Sequence, residues 1–177
     1  WGKVTDFTVP TLEEVAELTA NRIVVNLDKS AACFDALIQK IDSMDACYQF
    51  ILKANRSTDF FKDRLEHTEH FPCLMPIVTN AQAMMLDPFL SEIHPRITEL
   101  IAASDTTQLT SPEGLANLQK HRCGAWYNSL FPAVSMGWDE PKSKEQAWDW
   151  FVLHGAAVIQ TDYPKELIAF LAKRRGR

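Results

Sequence analysis

The chain is sparing with cysteine and glycine, and it has no long apolar run and no net positive charge. Each shortage removes a class of protein. Its four cysteines, Cys33, Cys47, Cys73 and Cys123, lie far apart, with no Cys-x-x-Cys and no Cys/His cluster at zinc-finger spacing. Buried free thiols are the default reading, with disulfides left open. The six glycines form neither a Gly-x-Gly-x-x-Gly nor a Walker motif after any strand, which takes the best signal away from a nucleotide-binding sheet. No run of roughly 18 apolar residues is present, so no membrane span is expected. A formal net charge of −5 argues against a broad nucleic-acid surface. Lys173, Arg174, Arg175 and Arg177 are concentrated at the end of the last helical pattern, where cations complement the helix dipole. No signal peptide is visible. The chain begins at Trp1 rather than Met, so the native N-terminus is taken to be lost from view, leaving cytoplasmic, periplasmic and secreted locations open for a soluble protein.

The 177 residues fit one domain, 1–177, large enough to bury a core. Thr11-Leu12-Glu13-Glu14 is a capping box that starts a helix through about Leu18. Strands are expected at Ile23–Asp28, Gln49–Lys53, Cys73–Val78, Ile97–Ala102, Gly124–Leu130 and Ala156–Ile159. Helices are expected between them: around Phe34, Leu37, Ile38 and Ile41, then over Ser57–Leu65 and Asn80–Leu90. Ser111-Pro112-Glu113 starts another, and Ser143-Lys144-Glu145-Gln146 opens one buried along Ala147, Trp150 and Phe151. The last follows Pro164. Pro76 is awkward inside a strand because it cannot donate to the ladder. Trp138, Trp148 and Trp150 read as core and helix packing.

Strict alternation of short apolar strands with helices specifies a parallel sheet. Two architectures compete: a doubly wound six-stranded sheet, and part of a (β/α)8 barrel with about 25 residues per unit. Periodicity alone does not separate them. In both, function gathers at the C-terminal ends of strands. Those ends carry Asn26 and Asp28, Lys53 and Asn55, Met75 to Thr79, Glu99, Trp126 and Asn128, and Thr161 and Asp162. Acids and amide carbonyls are the hard oxygen donors Mg²⁺ or Ca²⁺ prefers, and a lysine can neutralise phosphate charge. The competing structural reading has Ser30 and Asp162 as helix caps and Glu99 as half of a buried ion pair.

Several motifs carry a family resemblance. Pro10-Thr11-Leu12-Glu13-Glu14-Val15, Ile23-Val24-Val25-Asn26-Leu27-Asp28-Lys29, Met75-Pro76-Ile77-Val78, Trp126-Tyr127-Asn128 and Gln160-Thr161-Asp162-Tyr163-Pro164 occur in this order. Together they resemble the glycerophosphodiester phosphodiesterases, in a bacterial branch, over nearly the whole chain. The resemblance implies a TIM-type barrel of which this chain supplies strands three to eight. It also implies metal-dependent hydrolysis of a glycerophosphodiester to glycerol phosphate and an alcohol, with a divalent metal (Mg²⁺ or Ca²⁺) as cofactor.

Asp28 stands at the position of that family's third metal-binding carboxylate. Lys29 is one residue after the acid where the family's lysine is two, which turns it to the opposite face of a strand; Lys53, at the end of the next strand, is assigned the phosphate instead. Glu99, Trp126 and Asn128 are placed near the glycerol-phosphate pocket, with Trp126 two residues before Asn128 rather than three. The family's early His-Arg, its Glu-x-Asp and its later His have no counterpart here. His67, His70, His94, His121 and His154 read as structural or solvent-facing. The expectation is therefore a chain without its own catalytic residues, completed by a preceding segment or a second chain. The alternative is an inactive α/β domain that binds a phosphate-bearing ligand or a protein partner.

Overall fold

Residues 5–101, 108–130 and 144–176 are described in a computed structural model of the chain. Strands β1 (Val25–Leu27), β2 (Phe50–Ala54), β3 (Cys73–Thr79), β4 (Ile97–Ile101), β5 (Gly124–Asn128) and β6 (Ala156–Gln160) form one parallel sheet. Their order in the sheet is their order in the chain, β1-β2-β3-β4-β5-β6, and the sheet curls into a half-barrel. This order removes the doubly wound alternative. Such a sheet reverses direction at a switch point, whereas here each strand adds beside its predecessor. Helices α1 (Leu12–Thr19), α2 (Phe34–Ser43), α3 (Thr58–Leu65), α5 (Pro112–Lys120), α6 (Lys144–Leu153) and α7 (Pro164–Arg175) punctuate the strands. The expected Ser143 cap and the loop from Phe131 lie outside the described residues, as do Trp138 and Ala102.

The helix starts follow from local chemistry. Thr11 accepts from the Glu14 amide while the Glu14 carboxylate accepts from the Thr11 amide, closing the capping box. Ser57 and Ser111 cap α3 and α5 through their hydroxyls, which accept from the Phe60 and Gly114 amides, with Pro112 at the first position of α5, where a missing N–H costs nothing. At the end of α6, Gly155 takes φ +74°, the left-handed conformation that a helix stop favours.

Strand alternation divides the sheet into two faces. Phe50, Leu52 and Ala54 of β2 join Leu74, Val78, Leu100, Ala125 and Tyr127 in the main core beneath the helices. Phe34, Phe60, Phe61 and Phe89 interlock there edge to face, with ring centroids 5.1–6.0 Å apart. Met75, Ile97 and Trp126, with Ile51, Cys73 and Val158 against them, form a smaller cluster on the opposite face, the inside of the curl.

Four expectations are corrected. The helix over Asn80–Leu90 is instead a 3-10 segment (Asn80–Met85), a short α-helical stretch α4 (Leu86–Pro88) and a π-helical turn (Phe89–Ile93). Gln82 breaks the regular ladder at φ −112°, and its side chain bonds Thr79 and Asn55. On α6 the fully buried indole is Trp148, while Trp150 is half-buried and stacks on His154. Of the four free cysteines only Cys123 is buried, and burial pushes its thiol up to about 11. Ser30 does not cap a helix with its side chain; its hydroxyl donates to the Lys53 carbonyl at 3.0 Å. Pro76 keeps its place in β3 because the ladder changes partner there: β3 pairs with β2 through Pro76 and with β4 from Ile77 onward.

Candidate functional site

The five residues singled out in the sequence lie on one face. Val25 and Leu27 pack toward the helices, so Asn26 and Asp28 turn to the inside of the curl. Lys53 alternates with Leu52 and Ala54 and points the same way. Glu99 is the register partner of Ile77 on one side and of Trp126 on the other, and Asn128 is the partner of Gln160.

Lys53 is the centre of the group. Its ammonium lies 2.9 Å from Glu99 Oε2 and 3.0 Å from an Asp28 oxygen. Glu99 is 2 % exposed and Lys53 7 %, whereas the Asp28 side chain is 53 % exposed. The triad is thus anchored at a buried end and open at the other. Both contacts are short, and Lys53 is the charged partner of the buried Glu99 Oε2. Burial opposes the Lys53 charge, but Glu99 and Asp28 more than offset it and raise its pKa above the usual 10.5. Burial likewise pushes Asp28 up, and Lys53 overrides it, holding the carboxyl below 3.8. Counted by formal charge, one lysine and two carboxylates, the three side chains sum to −1.

Beside the triad stands an amide and indole group. Trp126 Nε1 donates to Gln160 Oε1 at 3.2 Å, and Asn128 Nδ2 donates to the same oxygen at 3.3 Å. The backbone amide of Leu130 donates to Asn128 Oδ1 at 3.0 Å. Trp126 is nearly buried against Met75 and Ile97, making one wall of the concavity. Gln160 belongs to this group although its position alone, at the end of a short apolar strand, gave no reason to single it out. Asn26, already placed at a strand end by the sequence, brings Oδ1, which is buried and has no hydrogen-bond partner among the described residues.

Other residues lie elsewhere. Lys29 leaves β1 in the left-handed conformation (φ 54°) and is exposed, away from the position that Lys53 takes between the acids. His67, His70, His94, His121 and His154 all fall in the segments that lead from a helix into the N-terminal end of the next strand. Among the described residues no group of three or more His, Cys, Asp or Glu side chains is placed to hold a metal ion. No helix among them is long and apolar enough to cross a membrane.

Fold and site together define an all-parallel α/β half-barrel with an ion triad and an amide cluster on its concave face. A family model matches residues 74–171, more than half of the chain, and the chain belongs to that family, DUF4996, a domain of unknown function. The matched span runs from β3 to α7 and so contains Glu99, Trp126, Asn128 and Gln160, whereas Asp28 and Lys53 precede it. No curated protein matches the chain.

Proposed function

We propose that this chain forms the C-terminal part of a phosphodiesterase barrel of the glycerophosphodiester type, and that its concave face holds the phosphate end of the substrate. The observation that carries this reading is Lys53, near the C-terminal end of β2, pinned between Asp28 just past the end of β1 and Glu99 in the middle of β4. In α/β barrels that end of the sheet is where chemistry is placed. A lysine held rigidly by two carboxylates keeps its charge in one position, as electrostatic stabilisation of a phosphoryl group requires.

The net charge bears on the cofactor. A cluster of −1 repels a bare phosphate unless a cation joins it. Asp28, open to solvent on one side, and the orphaned Asn26 Oδ1 on the same face of β1 are hard oxygen donors suited to Mg²⁺ or Ca²⁺. They fit as part of a ligand set and do not complete one. A bound cation would supply Lewis-acid polarisation of the phosphoryl oxygens. Lys53 would neutralise phosphate charge, Glu99 would fix Lys53, and Trp126 and Asn128 would wall the pocket for the glycerol moiety. Hydrolysis adds water across a P–O ester bond, and the proton transfers it needs would come from groups outside these residues.

The placement of the five histidines at the opposite ends of the strands favours a second reading: a domain that binds a phosphate-bearing ligand or a partner without turning it over. One assay separates the two. The full-length protein is incubated with a glycerophosphodiester and Mg²⁺ or Ca²⁺, with and without chelator, and glycerol phosphate release is measured. Chelator-sensitive release is expected, lowered about 100-fold or more in Lys53→Ala, the scale of a lost electrostatic contact in the transition state. Unchanged turnover in Lys53→Ala would remove the assignment of Lys53. Binding of glycerol 3-phosphate without turnover would establish the second reading.

A further inference from the structure

Chemistry fixes the orientation of every amide beside the triad. An indole N–H and a backbone N–H can only donate. Leu130 N–H therefore requires the oxygen of Asn128, which turns Asn128 Nδ2 toward Gln160. Trp126 Nε1 requires the oxygen of Gln160, and the Asn128 donor arrives at that same atom. Two donors converge on Gln160 Oε1, and the side chain has no freedom to flip. Its Nε2, on the same side of the sheet as Trp126 and Asn128, is left with two hydrogens and no hydrogen-bond partner among the described residues. Gln160 itself is half-buried at the end of β6, directly beside Asn128 in the register.

We propose that Gln160 is a specificity-determining residue whose Nε2 donates to a phosphate oxygen of the ligand, while its Oε1 positions Trp126 and Asn128. This rests on the reading of the concave face as a phosphate site. The face is then divided by charge: carboxylates at the Asp28–Glu99 end hold cations, and amide donors at the Asn128–Gln160 end hold anionic oxygens. A ligand with a phosphate oxygen meets a rigid donor there, because two hydrogen bonds already hold the amide in position.

The test uses the full-length protein with two variants and two readouts: binding of glycerol 3-phosphate, and KM against kcat for a glycerophosphodiester. Gln160→Glu keeps an acceptor for Trp126 and Asn128 but replaces the donor by an anionic oxygen. Gln160→Met keeps the length and removes both functions. For Gln160→Glu the Kd for glycerol 3-phosphate and the KM are expected to rise about tenfold or more, the size of a lost hydrogen bond to a charged group, with kcat little changed. Gln160→Met should weaken binding similarly and also lower kcat, since Trp126 and Asn128 lose their shared anchor.

Binding of glycerol 3-phosphate by Gln160→Glu within about twofold of wild type would overturn the inference. The failure modes are distinguishable. A wild type that hydrolyses nothing yet binds glycerol 3-phosphate, with the deficit in Gln160→Glu, supports the inference and removes only the enzyme reading. A wild type that hydrolyses the diester while Gln160→Glu is unaffected overturns the inference alone. A wild type that neither hydrolyses the diester nor binds glycerol 3-phosphate overturns both.

Discussion

At the residue scale the molecule turns on Lys53. Removing one partner from a buried ion pair leaves the other charge stranded, which costs more than the pair itself contributes. Lys53→Met strands Glu99, and the expected loss is about 3–5 kcal/mol, a fall in Tm of roughly 10 °C by calorimetry. Lys53→Met combined with Glu99→Leu should recover much of it, because the stranded charge is gone. A Lys53→Met protein as stable as wild type would show that the triad is solvated rather than buried.

The triad also sets a pH window. Lys53 is raised above 10.5, so its stabilisation is complete below that pH and is lost as pH rises through its higher folded value. Asp28 is depressed below 3.8, so its contribution is present above that pH and is lost as pH falls through its lower folded value. Asp28 is half-exposed, so the acid limb is the shallower of the two. Melting temperatures followed into alkali should therefore drop more steeply in wild type than in Lys53→Met/Glu99→Leu, which has no such pair to lose.

At the element scale, α5 holds an exception to an ordinary rule. Glycine inside a helix is normally a weakness that alanine repairs. At Gly114 a Cβ would lie 2.4 Å from the Gln108 carbonyl oxygen and 2.7 Å from that of Leu109, both backbone atoms that cannot step aside. Gly114→Ala is expected to destabilise by about 1–3 kcal/mol through overpacking, seen as a lowered urea midpoint with an unchanged m-value. A stabilised variant would mean that the turn before α5 yields easily.

The elements themselves were legible because parallel strands buried on both faces write continuous apolar runs. All six appear within a few residues of their expected bounds, and the caps at Thr11 and Ser111 are as the pattern predicts. The segment after β3 was not legible. Its apolar spacing looks helical, but Gln82 bonds Thr79 and Asn55 instead, a tertiary preference that leaves no periodic trace. The site was half legible for a similar reason. Asp28 and Lys53 stand out as charges at the ends of apolar strands, and Glu99 as a charge inside one. Gln160 is defined by two donors that reach it from β5, and only the sheet brings them together.

At the scale of the whole molecule, the sheet is parallel, sequential and open, with β1 and β6 at its edges among the described residues. The partner change in β3 gives this sheet a seam. The residues of β3 up to Pro76 are laddered to β2, and those from Ile77 onward to β4. Because the register divides β3 in this way, the sheet is expected to open in two units, β1–β2 and β4–β6. Native-state hydrogen exchange with increasing denaturant should separate β1–β2 amides from β4–β6 amides into two opening isotherms, and a single isotherm for all six would show one unit. Lys53 belongs to the first unit and Glu99 to the second, so their ion pair is a rivet across the seam. An opening on either side of the seam would therefore part Lys53 from Glu99.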